Sequence, residues 1–195
     1  MLEVSVVSII LASASPRRQE LLQQVGCAFE VVVSDVVENI DQPCTPADLA
    51  VSLARAKAWD VAKKRPLEDV VIGADTIVVL RGQVFGKPVD AAAARRMLSE
   101  LSGQEHQVIT GVAVVKGDKA WADCAFTTVC MAELSAADIE RYIATGEPMD
   151  KAGAYAIQGI GALFIKGIAG CYSNVVGLPL FTLAGLLRKA GVRLL

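Results

Sequence analysis

The stretch 6-VVSIILASASPRRQELL-22 sets the architecture of the chain. Its first part, Val6 to Ala12, reads as a buried strand, because a short apolar run bounded by turn residues suits a strand covered on both faces. Ser13 to Ser15 form a tight polar turn, and Pro16 behind Ser15 marks a helix start. Leu21, Leu22 and Val25 give that helix an inner face and Gly26 ends it, so the chain opens with a strand, a tight turn and a helix. The same stretch holds an anomaly. A helix N-terminus carries about half a positive charge, and a cation there is unfavourable by roughly 0.3–1 kcal/mol. Arg17 and Arg18 nevertheless occupy the first turn.

The rest of the chain repeats and varies this unit. Phe29–Ser34 reads as a short strand and 35-DVVENIDQPC-44 as a polar loop. Thr45 caps a helix with Pro46 at its first position and Asp48 three residues after the cap, running to about Arg65. Asp69–Leu80 is a long apolar strand interrupted only by 73-GADT-76, and Arg81-Gly82 is a two-residue turn into 83-QVFGKP-88. Asp90 caps a helix from Ala91 to Leu101, closed by Gly103. Val108–Val115 and Ala120–Met131 form a second hairpin around 117-GD-118, and 135-SAAD-138 opens a helix ending at Gly146 in the manner of a capping box. A Gly-rich loop and strand from Lys151 to Ile168 and a last helix from about Pro179 to Ala190 follow. Strands alternate with helices, while the hairpins require antiparallel pairs. The expected class is therefore α/β with a mixed sheet flanked by helices.

Bulk properties narrow the function. The 195 residues suit one α/β domain over 1–195, with room for two lobes. With 19 basic and 21 acidic residues and a net charge of -2, no global field attracts nucleic acid, and neither a recognition helix nor a basic face is visible. The apolar run Val4 to Leu11 is too short to span a bilayer, and Glu3 stands where a signal peptide needs basic residues, so no membrane partner is expected. Five cysteines without a C-x-x-C pair argue against a disulfide scaffold or a structural zinc site and point to the reducing cytoplasm. A hydrophobic content of 53% and a mean hydropathy of +0.46 suit a large core or a buried dimer surface.

Four places put polar residues where the pattern wants otherwise. Ser13, Ser15, Arg17 and Arg18 surround the N–H groups of the first helix, which suits phosphate bound by N–H, hydroxyl and guanidinium donors; alternatively the serines cap and the arginines are solvated. Lys57 lies about 80° round its helix from Leu49, in the middle of an apolar arc, where it must snorkel, pair or face a polar cavity. Asp75 sits inside the strand 70-VVIGADTIVVL-80, a costly place unless it is paired or bound to a metal; the plainer reading is a strand-end salt bridge. Gly73 beside it would admit a ligand or another backbone. Lys87 is the fourth: counting outward from Arg81-Gly82 pairs Leu80 with Gln83 and puts Thr76 opposite Lys87, although a bulge at Gly86 would shift this by one. With Glu38 in the polar loop, the inventory is two carboxylates, four basic side chains and a helix N-terminus. Carboxylates with phosphate oxygens are how Mg²⁺ is usually held, so the chemistry is hydrolysis or transfer at phosphorus. Neither a Walker A sequence nor a G-x-G-x-x-G fingerprint is present.

Together these residues resemble the Maf nucleotide pyrophosphatases, from 11-LASASPRRQELL-22 through 53-LARAKA-58, 73-GADTIV-78, 86-GKP-88 and 102-SGQEHQVITGV-112 to 146-GEPMDKAGAYAIQG-159 and 176-VGLPL-180. The resemblance implies a fold similar to that of the inosine triphosphate pyrophosphatases, an elongated sheet with a cleft between two lobes, and a homodimer. It implies hydrolysis of a nucleoside triphosphate between the α and β phosphates with Mg²⁺ or Mn²⁺. It makes Asp75 the catalytic acid-base residue, Ser13, Arg17, Arg18, Lys57 and Lys87 phosphate-binding, and Glu38 with Asp75 the metal ligands. Base selection falls on Arg17, Thr76 and Gln158. The segment 150-DKAGAYAIQG-159 resembles the dTTP/UTP branch, and a Gln158 amide can pair with the donor-acceptor edge of uracil or thymine. The competing implications are the 7-methyl-GTP branch, which carries a more acidic, serine-containing segment here, and a nucleotide-sensing regulator of septum formation in which turnover is incidental. A part in clearing modified nucleotides and an association with cell-division arrest belong to the same resemblance.

The remaining candidates carry less. His106, the only histidine, lacks a nucleophile context and is read as a structural hydrogen-bonding residue rather than a base. Tyr155 is left between stacking on a base and packing. Trp59 and Trp121 are read as packing or interface residues, and the glycines of 159-GIGALFIKGIAG-170 as loop or strand-edge residues rather than a phosphate cradle.

Overall fold

The structure is a computed structural model that describes residues 8–37, 39–40 and 43–194. Strand β1 (Ile9–Leu11) leads into helix α1 (Pro16–Gln24), short strand β2 (Glu30–Val31) and helix α2 (Pro46–Ala62). The long strand β3 (Val70–Leu80) turns into β4 (Gln83–Phe85), followed by α3 (Ala91–Leu101), β5 (Glu105–Lys116), β6 (Lys119–Met131) and α4 (Ala136–Ala144). Three 3-10 turns, Glu147–Asp150, Ala152–Ala154 and Ile160–Phe164, precede β7 (Ile165–Gly170), α5 (Tyr172–Val176) and α6 (Leu180–Lys189).

One mixed sheet has the strand order β2-β1-β3-β5-β6-β7, with β4 paired to β3. β1 is parallel to both β2 and β3, whereas β3–β4 and β6–β7 are antiparallel. The mixed sheet expected from alternating elements and hairpins is therefore present. Arg81 and Gly82 both adopt positive φ, +51° and +83°, as a two-residue type I′ turn requires. Leu80 pairs with Gln83, Val79 with Val84 and Val78 with Phe85, so the register counted from this turn holds to the end of β4.

The chain divides into two compact units. The first comprises Met1–Asp75, Thr110–Ala125 and Gly177–Leu195, the second Thr76–Ile109 and Phe126–Val176. The first has a core of Ile10, Ala12, Ala54, Ala58, Val61, Val71, Ala113 and Val115, against which Trp59 packs. The second is built on Val78, Phe85, Leu98, Leu101, Val129, Met131, Ile139 and Tyr142. Each fully buried Leu, Ile or Phe of this kind contributes about 1.5–3 kcal/mol.

Local capping follows the sequence signals. Thr45 Oγ1 accepts from the Asp48 N–H at 3.1 Å, Asp90 Oδ1 from the Ala93 N–H at 2.6 Å, and Ser135 with Asp138 forms a reciprocal capping box. Two regions differ from expectation. The segment expected as loop and strand from Lys151 to Ile168 is largely 3-10 turn until Ile165, because Gly153 and Gly159, at φ +70° and +79°, turn the chain out of the extended region. Helix α5 has no counterpart in the sequence pattern: Asn174 anchors it by donating from Nδ2 to the Val108 carbonyl at 3.0 Å and to Thr127 Oγ1 at 2.8 Å.

Candidate active site

The first unit brings two of the anomalous residues together. Lys57, at 8% exposure in α2, donates from Nζ to Asp75 Oδ1 across 2.6 Å, and Asp75 is itself only 5% exposed. The pairing follows from how α2 rests on the sheet. A Cβ at Gly73 would lie 2.2 Å from the Ala54 carbonyl oxygen and 2.8 Å from the Ala58 nitrogen; one at Gly111 of β5 would lie 2.3 Å from the Ala50 oxygen. Real Cβ atoms do not fit such spaces, so these glycines let the helix backbone touch the strands. Asp75 shares a face of β3 with Gly73, since strand side chains alternate, and Lys57 shares a face of α2 with Ala54, three positions before it. A helix seated on Gly73 therefore delivers its lysine to Asp75. Of the three options open to Lys57, the structure selects pairing, and Gly73 admits a backbone. The salt bridge at Asp75 is real but lies inside the strand rather than at its end.

The opening turn is also in this unit. β1 places Leu11 opposite Ile72 of β3, so the residues after Leu11 leave the sheet beside those that follow Ile72. Ser15 is the N-cap residue of α1 by position, yet its side chain makes no capping bond. Ser13 is buried, and its Oγ accepts from the Ser15 N–H at 3.2 Å and from Arg18 Nη1 at 3.0 Å. Arg18 also donates from Nε to the Gly177 carbonyl at 2.8 Å. The reading of capping serines and solvated arginines therefore fails at Ser15, which makes no side-chain cap, and at Arg18, whose guanidinium bridges Ser13 and Gly177; Arg18 is half-buried, like its neighbour Arg17.

Thr76, Lys87 and Gln158 belong to the second unit. Lys87 is exposed, one residue beyond Gly86, whose carbonyl accepts from the Gly153 N–H at 3.0 Å. β4 ends at Phe85, before the ladder reaches the counted Thr76–Lys87 pair. Gln158 is half-buried between two 3-10 turns. In the same unit His106 Nε2 and Tyr155 Oη lie 2.7 Å apart with their rings edge to face, which settles both residues as a buried packing pair. Burial lowers His106 from the ordinary 6.5 to about 4, a poor setting for a base near neutrality.

For a divalent cation the donor chemistry is favourable but incomplete. Asp75 supplies one hard carboxylate; Glu38, the second expected ligand, lies outside the described residues. Among the described residues no group of three or more His, Cys, Asp or Glu side chains could cage a metal. The five cysteines are free thiols, and among the described residues no helix is long and apolar enough to cross a membrane.

Comparison with known proteins shows what the chain is similar to. A protein named dTTP/UTP pyrophosphatase from Pelotomaculum thermopropionicum is 50% identical over 190 residues, covering 96% of this chain and 98% of its own. Proteins of the same name from Symbiobacterium thermophilum and Geotalea uraniireducens are 52% and 53% identical, each covering 94% of this chain and 94% and 95% of their own. A solved structure described as the Staphylococcus aureus Ham1 protein matches with a TM-score of 0.47 at 16% identity, over 65% of this chain and 72% of that one. Residues 8–190 match the family described as Maf-like protein, and the chain belongs to that family.

Proposed function

We propose that the chain hydrolyses dTTP and UTP to the monophosphate and pyrophosphate. The observation that carries the chemistry is the Lys57–Asp75 pair, an ammonium and a carboxylate buried together where apolar side chains of similar volume would serve stability as well. Substrate choice is supported by the curated relatives at 50–53% identity, which bear the name dTTP/UTP pyrophosphatase.

On this reading water attacks the α-phosphorus, its proton passes to the Asp75 carboxylate, and the bond to the oxygen bridging the α and β phosphates breaks to release pyrophosphate. Arg17, Arg18 and Lys87 offset the charge of the polyphosphate, Ser13 and Ser15 offer hydroxyl donors, and Lys57 holds Asp75 in place. Asp75 and Glu38 would hold a divalent cation, Mg²⁺ or Mn²⁺, whose contribution is to neutralise phosphate charge. Gln158 reads the pyrimidine edge by its amide, with Arg17 and Thr76 as further selecting residues. Thymine and uracil differ by one methyl group, which is worth little discrimination, so both are accepted.

A panel of purine and pyrimidine triphosphates incubated with Mg²⁺ tests the proposal. Equal amounts of pyrophosphate and monophosphate, formed fastest from dTTP and UTP, are expected. Release of orthophosphate, or no turnover of any triphosphate, overturns it.

A further inference from the structure

Gln158 lies in a segment of irregular backbone, and such segments are commonly the least fixed part of a fold. Here the segment is held on both sides of Gln158 by one pair of side chains. Tyr142, fully buried in α4, accepts from the Ala156 N–H at 3.2 Å and donates its hydroxyl proton to Glu147 Oε1 at 2.8 Å. The Glu147 carboxylate accepts in turn from the Gly161 N–H at Oε1 across 2.9 Å and from the Ile160 N–H at Oε2 across 3.0 Å. The backbone is therefore tied two residues before Gln158 and again two and three residues after it.

The surrounding residues are shaped to this pair. A Cβ at Gly159 would stand 2.5 Å from Glu147 Oε2, and one at Gly161 would stand 2.6 Å from the Tyr142 hydroxyl. Gly159 also has φ +79°, which side-chain-bearing residues rarely adopt. Glu147 is fixed at its own backbone: its N–H donates to Thr145 Oγ1 at 3.1 Å and its carbonyl accepts from Lys151 Nζ at 2.7 Å. Burial raises its carboxyl, but the N–H groups of Gly161 and Ile160, the Tyr142 hydroxyl and the Lys151 charge outweigh this and hold it below the ordinary value. At neutral pH it is an acceptor-only group facing three donors, the strong form of hydrogen bond.

We infer that Glu147 and Tyr142 are positioning residues for base selection, fixing Gln158 through the backbone of residues 156–161 without touching the nucleotide themselves. The inference rests on the reading of Gln158 as the residue that meets the pyrimidine edge.

The test compares kcat and KM for dTTP and dGTP in the unmodified chain, Gln158→Ala, Glu147→Gln, Tyr142→Phe and the double variant Glu147→Gln/Gln158→Ala. The glutamine is isosteric, but its amide nitrogen cannot accept, so a backbone donor loses its partner. Glu147→Gln is expected to lower the dTTP:dGTP ratio of kcat/KM about tenfold, the equivalent of roughly 1.4 kcal/mol, mainly through KM for dTTP. The double variant is expected to match Gln158→Ala, since both act through one side chain. Amide exchange should quicken at Ile160 and Gly161. Tyr142→Phe, which spares the Glu147 bonds to those N–H groups, should shift the ratio in the same direction and serves if Glu147→Gln does not fold. If Gln158→Ala collapses the ratio while Glu147→Gln and Tyr142→Phe lower turnover of both triphosphates equally, the positioning role is overturned and the reading of Gln158 stands. If Gln158→Ala leaves the ratio unchanged, that reading fails and the positioning role fails with it.

Discussion

Lys57 Nζ and Asp75 Oδ1 are 2.6 Å apart between two buried residues, one on a helix and one on the strand beneath it. Removing one member of a buried ion pair leaves an uncompensated charge and costs roughly 3–5 kcal/mol. Lys57→Met is expected to lose stability in that range. Asp75→Asn should lose less, since the amide oxygen still accepts from the ammonium, and the double variant should recover part of the loss. None of the three should release pyrophosphate from dTTP. Urea unfolding and a pyrophosphate assay on the set separate the two claims. A Lys57→Met chain as stable as the parent would deny the pair its structural weight, and turnover by Asp75→Asn would remove Asp75 from the chemistry.

Two glycine-to-alanine changes should move stability in opposite directions. At Gly73 the new Cβ would meet the Ala54 carbonyl oxygen at 2.2 Å, and backbone cannot yield as a flexible side chain can. Gly73→Ala is expected to cost about 3 kcal/mol or more and to lift α2, and Lys57 with it, away from Asp75. Gly185, in the interior of α6, has nothing within 4 Å of its Cβ position. Gly185→Ala should stabilise the chain by about 0.5–1 kcal/mol through helix propensity and the entropy of the unfolded state. Midpoints of urea unfolding read both. A neutral Gly73→Ala would show that α2 does not depend on that close approach.

These residues also mark where sequence reasoning stops. The caps at Thr45, Asp90 and Ser135 and the turn at Arg81-Gly82 are legible because each depends on neighbours within a few positions. Lys57 and Asp75 are legible as anomalies, since each breaks the periodicity of its own element. Their contact is not, because it depends on a helix resting on a strand. Counting along the hairpin reaches only local partners, Thr76 opposite Lys87, and says nothing of a helix. From sequence Arg18 is a phosphate ligand or a solvated cation, but one of its partners is the carbonyl of Gly177, 159 positions away. Glu147 escapes sequence reasoning altogether. It looks like an ordinary acid at a helix end, and the one signal for it is the pair of glycines that leave room for its carboxylate and for Tyr142.

Arg18 should therefore show two effects when changed to lysine. A guanidinium donates from Nε and Nη1 in a fixed fork, here to Gly177 and Ser13, whereas an ammonium is a single point donor on a flexible stem. Arg18→Lys is expected to lose about 1.5–3 kcal/mol, the worth of one hydrogen bond with a charged donor. It should also raise KM for dTTP, because Ser13 is no longer held. Thermal unfolding and steady-state kinetics on the same preparation measure the two. A rise in KM without a loss of stability would assign Arg18 to the phosphates alone.

His106 offers a reading free of any assumption about catalysis. It is the only histidine, so its ring protons give one unambiguous set of signals in an NMR pH titration. The midpoint is expected near 4, because burial holds the imidazole down from its ordinary 6.5. The consequence for stability has a definite sign. Below pH 6.5 the unfolded chain takes up a proton that the folded chain refuses until about pH 4, so stability falls as the pH is lowered through that window. The full loss attributable to this group is about 3 kcal/mol, since each tenfold difference in proton affinity between the folded and unfolded chain is worth about 1.4 kcal/mol. Carboxylates held low, among them Glu147, keep their contribution down to about 4.5 and lose it only below, so the upper part of the window isolates the histidine. His106→Gln, which can still bond to the Tyr155 hydroxyl, should flatten the dependence of urea midpoints on pH between 6.5 and 4.5. A titration midpoint near 6.5 would mean that the His106–Tyr155 contact opens to water, and the expected slope would then vanish from the parent chain as well.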